Sequence, residues 1–408
     1  MSLKKNVIGL AIAQIFNYVL PLVQLPYLSR VLDQEKFGSV VFILSLMMIT
    51  NTITDYGLDL SATKAISENK NKDDVNRFIY ESFVIKSLLL IPSCLIFIIG
   101  VLSSNEEASI TIIAFGLVSV LLNAFNKRWL FLSLEKTYIF SQFVIASRIV
   151  GTGLVFALIK TNSDYELYTL IFSIQAFILT VGTNYIIRFN YDFKPVKTSF
   201  SSALLTMKNG GWFFASRMGS TAYVSGCTAF LGWSSGMSQV SIYGTAEKLH
   251  VAGVGVFVPV ISSLTPYMNR TKNYNLLFKI ALIIFSIGIV GVAFGYYFGE
   301  EIIRILFGDG FSESKKVLDI FLITIMTSSL GMLFGHPALM PIGLERHANL
   351  SLIYGGFLQL LLFSLLLLFN SSISAVDVAL CYLCCDSFML LQRLLVLFRN
   401  RHLINECK

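Results

Sequence analysis

Six ionisable side chains stand inside stretches that are otherwise apolar: Asp55, Arg148, Arg217, Glu247, Lys248 and Asp386. Charge at membrane depth is expensive, so such groups face an internal cavity or one another rather than lipid. They offer two kinds of chemistry. Arg148, Arg217 and Lys248 can hold an anion by charge and hydrogen bonding, and an arginine keeps its proton while doing so. Glu247, Asp386 and Asp55 are carboxylates that can couple to an ion by taking up and releasing it. Uncharged polar residues accompany them. Gln14, Asn17 and Gln24 lie with Pro21 at spacings of 3, 4 and 3, one stripe of a helix. Asn51 and Asp55 are four apart and share a face, and Arg217, Thr221 and Thr228 form a similar face behind Gly210 and Gly211.

Each residue has a structural reading beside the functional one. Arg148 and Arg217 read as ligands of an anion, with pins satisfied by backbone carbonyls as the alternative. Glu247 and Lys248 read either as cavity groups or as an outer rim. Asp55 pairs with a cation of a cytoplasmic loop in the simpler reading. Asp386 sits deep, on a helix that need not line a cavity. Lys86, Lys279 and Arg393 lie within two turns of a cytoplasmic end, where long side chains snorkel to water. Asn and Gln on the first helix serve as interhelical glue as often as ligands.

Catalytic motifs are absent. The chain has no His/Cys metal cluster, no Gly-x-x-x-x-Gly-Lys-Ser/Thr phosphate loop and no nucleophile elbow, so neither ATP hydrolysis, an enzyme, a metal nor another cofactor is expected. Cys381-x-x-Cys384 lies in an apolar helix and reads as small buried hydrophobes.

The elements that position these residues follow from composition. Among 408 residues 55% are hydrophobic and only 13% charged, with mean hydropathy +0.71. Soluble chains carry about 25% charged residues, so a soluble enzyme and a nucleic-acid-binding domain are excluded. A membrane span needs about 20 apolar residues. Twelve stretches qualify: 7–29, 38–57, 79–102, 109–131, 139–160, 167–187, 209–232, 241–268, 277–298, 317–336, 349–369 and 373–396. With the N-terminus in the cytoplasm, inside segments hold 20 Lys and Arg and outside segments 6. That bias predicts both termini inside, and it accounts for the net charge of +7 without a nucleic-acid partner. The loops 58–78 and 188–208 read as the longest cytoplasmic segments. The outside segment 299–316 reads as an amphipathic piece along the outer interface.

The halves echo one another. Leu134-Glu135-Lys136 and Leu344-Glu345-Arg346 each lead into a long apolar helix, at an offset of 210. Phe37-Gly38 and Tyr243-Gly244, and Lys64 and Arg270, recur at an offset of 206. The common order predicts two six-helix bundles, 1–195 and 196–408, related by an axis along the membrane normal. The polar helices 1, 2, 7 and 8 occupy equivalent positions in both halves.

The runs LPYLSRVLDQEKFGSVVF and DYGLDLSATKAISENKNKDDVNRF, followed by IYGTAEKLHVAGVGVFVPV, ILFGDGF and ALMPIGLERH, resemble bacterial O-antigen and polysaccharide flippases of the Wzx type. These belong to the multidrug/oligosaccharidyl-lipid/polysaccharide exporter superfamily, and the resemblance spans essentially the whole chain. It implies an all-α integral membrane protein of about twelve transmembrane helices, whose two six-helix bundles form a V around a central cavity lined by helices 1, 2, 7 and 8. It implies a substrate, a short oligosaccharide on undecaprenyl pyrophosphate, that crosses the bacterial inner membrane from the inner to the outer leaflet. It also implies a cationic lumen, with Arg217 and Lys248 on helices 7 and 8 and Arg148 on helix 5, and a polysaccharide polymerase and chain-length regulators as partners. A multidrug/cation antiporter of the same superfamily would want a carboxylate-dominated cavity. A polysaccharide polymerase would show a large outside loop rich in Arg and His, and a major-facilitator sugar permease would show Gly-x-x-x-Asp-Arg after helix 2. The cations expected in the lumen argue against the antiporter, and neither the large loop nor the Gly-x-x-x-Asp-Arg motif is present.

Overall fold

In a computed structural model of the protein, the described residues are 16, 20–21, 23–68, 72–104, 109–191, 193–370 and 372–405. Among them the chain forms helices and no strand, because in lipid each backbone polar group must be satisfied within its own segment. After a helical stretch at 23–31 (α1) come α2 (Gln34–Asp55), α3 (Leu58–Glu68), α4 (Lys72–Ser103), α5 (Ile110–Ala124), α6 (Arg128–Ser133), α7 (Thr137–Leu158) and α8 (Leu167–Asn190). Then follow α9 (Phe200–Ser234), α10 (Met237–Gly255), α11 (Val258–Thr271), α12 (Tyr274–Phe307), α13 (Ser314–Phe334), α14 (His336–Leu339), α15 (Glu345–Phe369), α16 (Ala375–Arg399) and α17 (Arg401–Asn405).

Among the described residues, nine helical segments are long and apolar enough to cross a membrane, and α10 with α11, bent by 41° at their break, makes a tenth. The first expected span, 7–29, lies largely outside the described residues. The seventh, 209–232, lies within α9, which is long enough but does not join the ten, since its many Gly, Ser and Thr residues, together with Arg217, keep it less apolar than the others.

The packing divides the chain into two compact units, 1–218 and 219–408, and the division falls inside α9. In the first unit α5 packs on α8, α7 on α8, α2 on α4 and α3 on α6. In the second, α13 packs against α10, α12 and α16, and α15 against α16. Both units break their helices in the same order. In the first, α2 ends at Tyr56 in the left-handed region and α3 starts two residues later. In the second, α10 yields to α11 with the 41° bend. Likewise α5 is followed by the short α6 and then α7, and α13 by the short α14 and then α15. The Leu-Glu pairs at 134–135 and 344–345 sit at the turns into α7 and α15.

Several expectations need correction. Much of 58–78 is helical, as α3 and the start of α4, because Asp59 and the apolar residues Leu58, Ala62 and Ile66 bury against α6. Residues 188–190 continue α8 and 200–208 open α9, tied to α4 by Ser202 and Thr206, whose hydroxyls donate to Glu81 at 2.5 and 2.6 Å. The segment 299–316 forms no separate interfacial element. Its residues through Phe307 complete the 34-residue α12, and the chain turns at 309–311 into α13. Its buried residues Gly299, Ile303 and Phe307 recur every four positions and extend the buried stripe of α12.

Lys86 and Arg393 do not snorkel. Lys86 is buried beside Asp55, as described below. Arg393 is buried, its Nε donating to Ser351 Oγ at 2.8 Å and its Nη1 to the Gly331 carbonyl at 2.6 Å. The Gly331 carbonyl needs this donor because the Gly335 N–H bonds Met332 instead, leaving Gly331 among the unfilled carbonyls of the α13 terminus. Arg393 thus ties α16 to α13 and α15. Arg393→Ala is expected to lower the stability of the second unit by about 3 kcal/mol, the order of losing charged hydrogen bonds and leaving a buried acceptor bare. Thermal unfolding in detergent checks this, and an unchanged midpoint would refute it. Lys279, by contrast, is exposed as expected.

Candidate anion-binding cavity

The first unit encloses a cavity of about 340 Å³. One face of α2 lines it with Met48, Asn51, Thr52 and Asp55, spaced 3, 1 and 3 along a single helical stripe. From α7 come Ser141 and Ser147 with Arg148, from α8 Gln175, from α6 Arg128 and from α9 Arg217. Asn123 and Asn126, at the break between α5 and α6, complete a polar wall. Four residues singled out in the sequence therefore meet in one place: Asn51, Asp55, Arg148 and Arg217.

The cations come from four elements, three of them lining the cavity. Arg148 Nη1 donates to Gln175 Oε1 at 3.1 Å, across the α7–α8 packing. The Gln175 amide lies directly over Gly151, where any Cβ would collide with it. Arg128 and Arg217 both approach a carboxylate that sequence reasoning passed over, Asp59 in the first turn of α3. Arg128 Nε is 3.3 Å and Arg217 Nη1 3.8 Å from Asp59 Oδ2. Asp55 pairs with Lys86 of α4, Nζ to Oδ1 at 3.6 Å, and so does not pair with a loop cation. Burial, then the neighbouring Asp55, push the Asp59 carboxyl above the usual carboxylate range, against the pull of Arg128, Arg217 and Lys86. Taken together, Lys86, Arg128, Arg148 and Arg217 outnumber Asp55 and Asp59, so the wall is net positive.

A kink sets this geometry. Tyr56 ends α2 with φ of 47°, and Gly57 follows at φ of 66°, a region that costs ordinary residues about 1–2 kcal/mol. The turn aims α3 so that Asp59 faces α6 and α9. It also lets α9 approach closely, since a Cβ on Gly57 would lie 2.9 Å from Phe213 Cβ and Phe214 N. The Tyr56 and Phe214 rings stack with centroids 4.4 Å apart, one turn before Arg217.

The remaining expected residues lie elsewhere. Gln14 and Asn17 fall outside the described residues. Gln24 is buried and does not line the cavity; its Nε2 donates to Thr152 Oγ1 at 2.6 Å, and Thr152 donates to the Arg148 carbonyl at 2.8 Å, so it braces α7 one turn from Arg148. Glu247 and Lys248, in the second unit, pair directly at 3.3 Å despite being sequence neighbours, with Glu247 buried. Asp386 is buried on α16 and accepts from Thr327 Oγ1 at 2.6 Å and Ser328 Oγ at 3.0 Å, with His250 Nε2 3.5 Å beyond Ser328. Neither Cys381 nor Cys384 is in a disulfide; Cys381 is buried and Cys384 exposed. Among the described residues no group of three or more His, Cys, Asp or Glu is arranged to hold a metal.

Sequence reasoning missed Asp59, Arg128, Gln175 and Lys86 as parts of this site. The signal within reach was the Asp-Tyr-Gly-Leu-Asp run, whose glycine permits a reversal that brings its two aspartates to one cluster.

The chain is similar to known proteins over most of its length. The family model described as "Polysaccharide biosynthesis protein" matches residues 3–272. A "Putative O-antigen transporter" of Shigella dysenteriae is 26% identical over 364 residues, covering 88% of this chain and 91% of that protein. A "Putative O-antigen transporter" of Escherichia coli (strain K12) is 27% identical over 385 residues, covering 92% and 93%. Among solved structures, an inward-facing multidrug resistance MATE family transporter of the MOP superfamily has a TM-score of 0.70 at 12% identity, over 98% of each chain. An outward-facing transporter of the same description has a TM-score of 0.60 at 13% identity, over 98% of this chain and 96% of that one. These two show the shared fold.

Proposed function

The chain belongs to the polysaccharide biosynthesis protein family, and on that premise we propose that it is a flippase for a lipid-linked oligosaccharide. Its substrate is an O-antigen repeat unit on undecaprenyl pyrophosphate, moved from the cytoplasmic to the periplasmic leaflet of the bacterial inner membrane, with both termini of the protein in the cytoplasm. The observation that carries this reading is the net-positive cavity, where Arg128, Arg148 and Arg217 converge beside neutral polar groups. Arginine forks suit phosphate oxygens, and Asn51, Asn123 and Asn126 suit sugar hydroxyls. Both O-antigen transporter relatives match about nine-tenths of the chain. Lys248, Gln14 and Asn17 belong to the same proposal as further contacts, and Gln24 supports Arg148 through Thr152. Glu247, Asp386 and Asp55 are its carboxylates for coupling to an ion gradient, and a polymerase and chain-length regulators are its partners.

The second reading is a multidrug/cation antiporter, which the MATE fold likeness brings forward. A cationic drug would meet three arginines against one lining carboxylate, Asp55, among the described residues, so the cavity favours an anion. The test is purified protein in proteoliposomes with a labelled undecaprenyl-pyrophosphate oligosaccharide, its outer-leaflet exposure read by a membrane-impermeant reagent, with and without an imposed pH gradient or potential. Protein-dependent flipping that inorganic pyrophosphate slows and organic cations do not is the expected result. Extrusion of a cationic dye without lipid flipping would replace this reading by the antiporter.

A further inference from the structure

We propose that Asp59 is a built-in competitor for the anion: it occupies Arg128 and Arg217 when the cavity is empty and yields them when it takes up a proton, so that one proton is bound with each anion. This rests on the cavity being an anion site.

The geometry is that of a loose, exchangeable contact. One carboxylate oxygen, Oδ2, serves both guanidiniums at 3.3 and 3.8 Å, longer than the roughly 2.7–2.9 Å of a strong charged hydrogen bond. The same Oδ2 is buried and accepts no hydrogen bond from the described residues. The exposures are unequal in an informative way. The Asp59 side chain is 7% exposed, whereas those of Arg128 and Arg217 are 46% and 35% exposed. The carboxylate therefore sits behind the two forks, and the forks present their remaining N–H groups to the cavity that an anion would enter.

The surroundings of Asp59 make it a titrating group. From α2, Asp55 repels it; from α4, Lys86 attracts it, though Lys86 is already set against Asp55; from α6 and α9, Arg128 and Arg217 attract it. Burial and Asp55 favour the neutral acid, and the cations favour the carboxylate. An arriving dianion turns the arginines toward itself and adds negative charge nearby, so both changes favour protonation. In the exchange, a buffer acid in bulk solution gives up a proton and becomes its conjugate base, the proton is relayed through cavity water to form an O–H bond on the Asp59 carboxylate, and the guanidinium–carboxylate contacts are replaced by guanidinium–anion contacts. By linkage, anion affinity is highest where Asp59 is already protonated and falls as pH rises through its titration.

The experiment is calorimetry on the purified full chain in detergent. Sulfate is the probe for the pH series, because it stays dianionic throughout, and inorganic pyrophosphate is the probe for affinity. Buffers of differing ionisation enthalpy report protons taken up per anion. For the wild type we expect sulfate affinity to fall with rising pH and about one proton to be taken up on binding. For Asp59→Asn we expect binding about tenfold tighter at neutral pH, a change of about 1.4 kcal/mol, without proton uptake. The wild-type proton count stands even if Asp59→Asn fails to fold. Anion binding that depends on Arg217 but exchanges no proton, or Asp59→Asn binding no tighter than wild type, overturns the proposal and leaves the anion site intact. No binding of either anion by wild type or variant overturns both.

Discussion

Arg217→Ala is expected to abolish surface polysaccharide in a cell that depends on this protein, at normal protein level, and to weaken inorganic pyrophosphate binding by about a hundredfold. That factor is about 2.7 kcal/mol, within the roughly 2–5 kcal/mol typical of removing one member of a buried charged contact. Arg217 sits one turn past the Tyr56–Phe214 stack, lines the cavity and leaves about a third of its side chain exposed to it. Truncation costs the fold little. The Asp59 contact is long at 3.8 Å, and Arg128 remains beside that carboxylate at 3.3 Å. Arg217→Lys should keep partial activity, since lysine retains charge but lacks the planar fork. Quantifying surface polysaccharide and immunoblotting the membranes separates the outcomes. Normal export from the alanine variant would mean that Arg217 is a structural pin, and the substrate role would pass from it.

Gly57→Ala is expected to destabilise the first unit by about 3 kcal/mol and to lower export with it, the sum of two costs. A side chain at φ of 66° costs about 1–2 kcal/mol. The new Cβ would also lie 2.9 Å from Phe213 Cβ and Phe214 N, and overpacking of this kind costs about 1–3 kcal/mol. Backbone at one contact atom cannot relax as a flexible side-chain tip would, so α9 has to move. Because Arg217 is on that helix, the displacement reaches the cavity. Thermal unfolding in detergent and pyrophosphate affinity should therefore fall together. An unchanged midpoint with wild-type affinity would show that the kink and α9 adjust independently.

Much of the architecture was legible because lipid imposes a demand that single residues reveal. A span needs a long apolar run, and a charge within it needs a reason. That logic led to Arg148, Arg217, Asn51 and Asp55, which share one cavity. It failed where position relative to the membrane was taken as a guide to burial. Lys86 and Arg393 lie near the ends of their apolar stretches, 79–102 and 373–396, yet both are buried, because their helices pack against partners carrying Asp55 or the Gly331 carbonyl. Gln24 carried the right polarity but serves as a brace to Thr152. Asp59 was hidden by its place in what reads as a polar loop, 58–78.

The residue types and the periodicity of the chain by themselves determined that it is a helical membrane protein with cations held among apolar helices, since both follow from the solvent that each segment meets. The tertiary structure alone decided which cations act together. Asp59, Arg128 and Arg217 are separated by 69 and 89 positions and come from three helices. Their meeting depends on a left-handed turn at 56–57 and a glycine-permitted approach of α9. Such long-range contacts are set by how packed helices fill space around one another, and no local pattern of hydropathy encodes that.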